Sequence, residues 1–238
     1  MTQTPEAIPL VERLGRVRAR ISDAARRSSR SPEGVTLVAV SKTHPVEAIQ
    51  DALVAGVTDF GENRVQEAET KIPVIGRKTA KWHLIGHLQS NKARRAGELF
   101  DVIHSLDSAS LALRLDRICE EIGRQSLPVL VQVDLGHEAT KTGVTEAELR
   151  EIVSAVERCS RLHLIGLMTL PPFFEKAERV RPYFCRLREL RDELQRSGAF
   201  GDRPGELSMG MTNDFEIAIE EGATIVRVGT AIFGEREQ

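Results

Sequence analysis

Residues 35–62 read VTLVAVSKTHPVEAIQDALVAGVTDFGE. The segment opens on an apolar run, Val35 to Ser41, and closes on another, Val57 to Glu62. Between them lies a helical pattern, with Pro45 in its first turn and Gly56 as its stop. Strand, helix and strand in that order make a parallel pair joined by a crossover. The rest of the chain repeats the alternation. Further apolar runs stand at Trp82 to Gly86, Asp101 to Leu106, Pro128 to Asp134, Leu162 to Met168, Glu206 to Gly210 and Thr224 to Gly229, which brings the strand candidates to eight. Asp107 is placed to cap the helix after the fourth run. Thr145 and Glu148 have capping-box spacing at the start of the helix after the fifth. A long charged helix is expected from about Glu175 to Arg196. Eight such units suit a (β/α)8 barrel of the triosephosphate isomerase type, with an open doubly wound sheet as the alternative.

Ahead of the first run, Leu10, Leu14, Val17, Ile21 and Ala24 recur at helical spacing, so an extra N-terminal helix is expected. Its other face carries Arg13, Arg16, Arg20 and Arg27, read as a solvated face in preference to a nucleic-acid patch. The 238 residues show no linker or repeat and are read as one domain spanning 1–238. A net charge of −2 argues against a general nucleic-acid or membrane binder. With one Trp and one Tyr, an extended base-stacking platform is not expected. No apolar run reaches transmembrane length, and the first twenty residues lack a signal-peptide core, so a cytoplasmic protein is expected. Cys119, Cys159 and Cys185 form no CxxC pair and read as reduced thiols.

In a barrel of this type the functional residues stand at the C-terminal ends of the strands. Lys42 lies just past the first run and shares a face with Val38 and Val40. By itself it reads equally as an ion-pair partner or a solvent-facing amine. Arg227 lies inside the eighth run between Val226 and Val228. If the valines face the helices, Arg227 faces the barrel interior, where a cation needs a partner. The eighth strand closes the barrel against the first, which brings Arg227 and Lys42 to one mouth. The seventh run ends in Ser208-Met209-Gly210 and the eighth in Gly229-Thr230, small residues at the corner where this fold seats phosphates. An imine-forming amine, a cation for a pyridine nitrogen and an anion seat together describe a site for pyridoxal 5′-phosphate (PLP). His83 and His87 have the spacing of a helical zinc pair but lie on a strand and a turn, so no metal is expected. Glu62, Asp134 and Asp214 are candidate acids that no spacing forces together.

The segments VAVSKTHP (38–45), FGENRVQE (60–67), WHLIGHLQSNK (82–92), HSLDS (104–108), LIGLMTL (164–170), LSMGMTNDFEIAI (207–219) and VRVGTAIFG (226–234) carry a family resemblance. In this order they resemble the pyridoxal phosphate homeostasis proteins, single-domain relatives of the alanine racemase N-terminal barrel. The resemblance covers the chain from about residue 35 to its end. It implies that Lys42 forms the Schiff base with PLP and that Arg227 contacts the pyridine nitrogen. It also implies that Ser208, Gly229 and Thr230 hold the phosphate and that Asn63 lies beside the ring. At 211–214 this chain has MTND where the family more often has MSxD; Thr212 keeps the hydroxyl. The family is further marked by cytoplasmic, often monomeric members linked to vitamin B6 balance, with PLP-dependent apo-enzymes as candidate partners.

Physical reasoning favours a carrier over a catalyst. Arginine stays protonated, so it leaves the pyridine nitrogen unprotonated and the ring a weak electron sink. A racemase needs an acid and a base on opposite cofactor faces. The one tyrosine, Tyr183, falls on a helical pattern read as lying away from the mouth loops. A PLP-dependent racemase or lyase is the first alternative, and a cofactor-free Schiff-base aldolase the second. Lys141, in the loop after the fifth run, is an ordinary surface lysine or a second, transient PLP contact.

Overall fold

The structure, a computed structural model, describes residues 8–136 and 142–234. Eight parallel strands close into a barrel in chain order. They are β1 (Thr36–Val40), β2 (Asp59–Glu62), β3 (Lys81–Leu84), β4 (Val102–Leu106), β5 (Leu127–Gln132), β6 (Leu162–Met168), β7 (Glu206–Ser208) and β8 (Ile225–Val228). β8 pairs with β1 so that Arg227 stands opposite Val38, and no edge is left. The open sheet is thereby excluded. The helices are α1 (Leu10–Arg27), α2 (Val46–Val54), α3 (Val65–Ile75), α4 (Ala93–Leu99), α5 (Ala109–Glu121), α6 (Leu149–Glu157), α7 (Arg181–Arg196), α8 (Phe215–Glu220) and α9 (Thr230–Phe233). No helix among the described residues is long and apolar enough to cross a membrane.

Side chains alternate along each strand and so feed two cores. Ala39, Phe60, Trp82, Leu84, Leu207, Val226 and Val228 join the large core shared with the helices. Val38, Val102, Leu130, Met168 and Ile225 form a small second core within the barrel. That inner core is narrow because polar side chains occupy much of the remaining lumen, the feature on which the site depends.

Four local expectations are corrected. α5 is capped by Ser108, whose Oγ accepts from the Leu111 amide at 3.2 Å, and not by Asp107. The helix begins at Ala109, so Asp107 stands one residue too early and pairs with His87 instead, at 2.9 Å. The charged helix starts at Arg181, with Pro182 in its first turn, after a separate 3-10 turn at Ala177–Val180. The arginine face of α1 is not simply solvated. Arg20 donates to Glu216 at 2.6 Å and lies 4.5 Å above the Phe215 ring. Arg27 pairs with Glu220 at 2.9 Å, and Arg13 donates to the Ile232 carbonyl at 2.7 Å. The carboxylates and carbonyls of α8 and α9 draw these arginines in, and Arg16 alone of the four pairs within α1, with Glu12. Thr145 and Glu148 bond reciprocally, the Thr145 amide to Glu148 Oε2 at 2.9 Å and the Glu148 amide to Thr145 Oγ1 at 3.4 Å, but in the turn before α6, whose N-cap is Glu148.

Candidate functional site

The turn after β1 is tied down on both sides of Lys42. The Ser41 amide donates to the Gly61 carbonyl at 3.0 Å, and Ser41 Oγ donates to Glu62 Oε1 at 2.8 Å. Lys71 of α3 donates to the Ser41 carbonyl at 2.8 Å, Glu62 Oε1 at 2.9 Å and Glu67 Oε1 at 2.6 Å. The Thr43 amide donates to Glu67 as well. Thr43 adopts φ +67°, a left-handed conformation that a threonine holds only under outside constraint. Lys42, half-buried, therefore rides on a turn whose neighbours are fixed by a buried ion-pair cluster. Burial pushes the Glu62 carboxyl up, against the hydrogen bond and charge of Lys71. Sequence reasoning missed Lys71 and Glu67, although their four-residue spacing on a helix was a usable signal.

Arg227 faces the lumen, as its flanking valines implied, and is 2% exposed. It donates through Nη1 to Ser208 Oγ at 2.6 Å and through Nη2 to the Thr169 carbonyl at 2.9 Å, both uncharged oxygens. Burial pulls its pKa down to about 10, with the charge of Asp214 opposing, so it remains a cation at neutral pH. The Ser208 hydroxyl also lies 2.8 Å from His104 Nδ1. A hydroxyl has one proton, and a guanidinium can only donate. Ser208 thus accepts from Arg227, and the direction of its bond with His104 follows the tautomer of the imidazole.

Gly229 forms the N-cap of α9, and Thr230 is exposed in its first turn. First-turn amides have no acceptor within their own helix. The His44 ring stacks on Phe233 with centroids 4.8 Å apart, joining the turn after β1 to α9. Lys42, Gly229 and Thr230 accordingly stand along the β1–β8 seam, with Arg227 inside it. Asn63 follows β2 and lies against Gly86, where a Cβ would stand 2.3 Å from the Asn63 carbonyl oxygen, so only glycine allows the two loops to approach. A cavity of about 590 Å³ opens there, lined by Asn63, Arg64, Gly86, His87, Gln89 and Lys92 among others.

The remaining candidates separate. His83 points into the lumen, 2.9 Å from Asp59 Oδ1 and 2.8 Å from His104 Nε2, while His87 is exposed. Among the described residues no group of three or more His, Cys, Asp or Glu could hold a metal ion. Asp214 accepts from the Met211 amide at 2.6 Å and Asp134 from the Gly136 amide at 3.2 Å, each within its own loop. Tyr183 is nearer the mouth than expected. A helix after a strand starts at the mouth, so the first turn of α7 brings the Tyr183 ring onto Phe174 of the preceding loop, with centroids 5.8 Å apart. Cys119, Cys159 and Cys185 are free thiols, and burial pushes all three up, away from the reactive thiolate. Lys141 lies outside the described residues.

Comparison with known proteins agrees with this architecture. The family described as alanine racemase, N-terminal domain, matches residues 13–237. The pyridoxal phosphate homeostasis protein of Aquifex aeolicus is 44% identical over 228 residues, covering 95% of this chain and 98% of that protein. The protein of the same name from Escherichia coli K12 is 41% identical, covering 96% and 97%.

The chain belongs to the pyridoxal phosphate homeostasis protein family.

The structure of PipY from Synechococcus elongatus with PLP bound superposes with a TM-score of 0.83 at 42% identity, over 95% of this chain and 100% of that one. The alanine racemase of Corynebacterium glutamicum shares the fold alone, at 17% identity and a TM-score of 0.68, with 95% of this chain matching 62% of that enzyme.

Proposed function

We propose that this member of the pyridoxal phosphate homeostasis protein family binds PLP covalently through Lys42 and acts as a carrier without robust turnover of its own. The observation that carries the reading is a buried cation, Arg227, on the strand hydrogen-bonded to the one that leads into the turn of Lys42. The residues fit the group. Lys42 offers an amine for the aldehyde, Arg227 a donor for the pyridine nitrogen, and the α9 amides with the Thr230 hydroxyl an anion seat beside Gly229. Asn63 borders the ring, and Ser208 contributes by holding Arg227. When bound, PLP supplies an amine-reactive aldehyde and an electron-withdrawing ring.

The chain's own residues favour storage over catalysis. Arg227 keeps the ring nitrogen a hydrogen-bond acceptor and so restrains the ring as an electron sink. No tyrosine stands opposite Lys42 to act as a second base, since Tyr183 is stacked outside the barrel. The curated relatives carry the name of homeostasis proteins and not of racemases. A monomer in the cytoplasm that passes PLP to apo-enzymes is the setting in which such a site works.

The purified protein mixed with PLP is expected to absorb in the visible, and borohydride reduction with peptide mass mapping to place the label on Lys42. Lys42→Ala is expected to lose the band and keep the fold. A label on another lysine overturns the attachment point. Sustained racemisation or elimination of amino acids by the wild type overturns the carrier reading in favour of a racemase or lyase.

A further inference from the structure

Inside the barrel, five side chains from five strands form an unbranched hydrogen-bonded line. Arg227 Nη1 of β8 lies 2.6 Å from Ser208 Oγ of β7, and Ser208 Oγ 2.8 Å from His104 Nδ1 of β4. His104 Nε2 lies 2.8 Å from His83 Nδ1 of β3, and His83 Nε2 2.9 Å from Asp59 Oδ1 of β2. With both imidazoles neutral, the form that burial favours, the carboxylate end determines every proton along the line. A guanidinium cannot accept and a carboxylate cannot donate. Ser208 therefore donates to His104, which carries its own proton on Nε2 and donates to His83, which in turn carries its proton on Nε2 and donates to Asp59. Both imidazoles are neutral in this arrangement.

The environment supports that assignment. His83, His104, Ser208 and Arg227 are buried, while Asp59 begins β2 at the barrel floor with its carboxyl partly open to solvent. Burial disfavours the charged form of both imidazoles, and at His104 the charge of Arg227 adds to it. Burial also works against the Asp59 carboxylate, but the hydrogen bonds from His83 and Thr58 outweigh it and hold the carboxyl below its usual range. Barrels of this type ordinarily fill their lumen with branched apolar side chains. Polar groups here are tolerable only because each is satisfied by the next.

We propose that Asp59, His83, His104 and Ser208 are positioning residues that aim the Arg227 guanidinium and lend it the negative pole of Asp59, making Arg227 a fixed, weak donor to the cofactor's ring nitrogen. The proposal rests on the reading that Arg227 meets that nitrogen. It makes the barrel floor, on the far side from the mouth, a determinant of the electronic state of PLP.

The test begins with nitrogen-15 NMR of histidine-labelled wild-type protein without PLP. Both His83 and His104 are expected as neutral Nε2–H tautomers at neutral pH; an Nδ1–H tautomer or an imidazolium at either position overturns the line. The second arm loads the protein with PLP labelled at the ring nitrogen. Asp59→Asn and Ser208→Ala, each checked for native circular dichroism, are both expected to shift that resonance, Asp59→Asn toward a stronger hydrogen bond. The exposed Asp51→Asn control is expected to leave it in place. A resonance that Arg227→Lys moves but Asp59→Asn and Ser208→Ala do not overturns the positioning role and keeps Arg227 on the ring. A resonance that Arg227→Lys fails to move removes Arg227 from the ring, and the positioning role with it.

Discussion

Lys71 holds the turn of Lys42 with one ammonium shared among three oxygens, and it is 5% exposed. Lys71→Met keeps the length of the side chain but leaves Glu62 a buried carboxyl without its cation. Removing one partner of a buried pair costs about 3–5 kcal/mol, because the other stays desolvated. A lower thermal midpoint and weaker PLP binding are expected. Glu62→Met combined with Lys71→Met is expected to recover most of the stability but not the affinity, since the Ser41 carbonyl and hydroxyl remain untied. Thermal denaturation and a PLP titration of the three proteins check this. The buried histidines predict a pH response. His83 and His104 have folded values depressed by burial, whereas the unfolded chain takes up protons near about 6.5. Their contribution is therefore fully present above that value and is lost as pH falls below it toward the folded values. With two protons involved, the slope approaches about 2.7 kcal/mol per pH unit. Urea unfolding at about pH 7.5 and about pH 5.5, either side of the ordinary imidazole value, reads the loss. An unchanged midpoint would mean that the imidazoles titrate in the fold as they do in the unfolded chain.

Among the elements, α6 and α8 differ in what holds them. α6 is preceded by a turn in which Thr145 and Glu148 satisfy each other's amides. Thr145→Ala is expected to cost about 1 kcal/mol, a loss visible in chemical denaturation, with PLP binding unchanged because this turn carries none of the residues assigned to the cofactor. α8 is set by the end of β7. Gly210 has φ +92°, and a Cβ there would stand 2.6 Å from Ala218 Cβ and 2.9 Å from Phe215 Cα. Gly210→Ala therefore strains the backbone and pushes α8 outward together. Because the Gly210 carbonyl accepts from the Arg227 amide at 3.0 Å, the disturbance passes into β8. A loss above about 1 kcal/mol is expected, accompanied by weakened PLP binding, in contrast to Thr145→Ala.

At the scale of the whole molecule, α1 lies across α8 and α9, beside the seam where β8 meets β1. It buries Leu14, Val17 and Ile21 and clamps the closing segment through Arg13, Arg20 and Arg27. Three such side chains contribute about 5–9 kcal/mol at ~1.5–3 each, comparable to the whole stability of a typical domain. A chain lacking residues 1–27 is expected to lose cooperative unfolding and PLP binding together; a truncated protein that melts like the full chain would leave α1 an appendage. The eight strands and their order were legible in the sequence, because apolar runs, helical spacing and Pro or Gly punctuation act within a few residues of themselves. So was the meeting of Lys42 and Arg227 at one mouth, because closing a barrel must join its first and last strands. The resemblance named Ser208 as well, but not its partners. Asp59 and His104 attracted no attention, since each is an ordinary polar residue within its own strand. Which strand face turns inward is set by register, and β4 and β5 shift theirs along the ladder, so simple alternation could not be carried through. Ser208 and His104 are 104 residues apart on strands that do not pair, and only the width of the closed lumen brings a hydroxyl within 2.8 Å of an imidazole. Local periodicity determined the barrel; the curvature of the whole sheet decided which of its side chains meet.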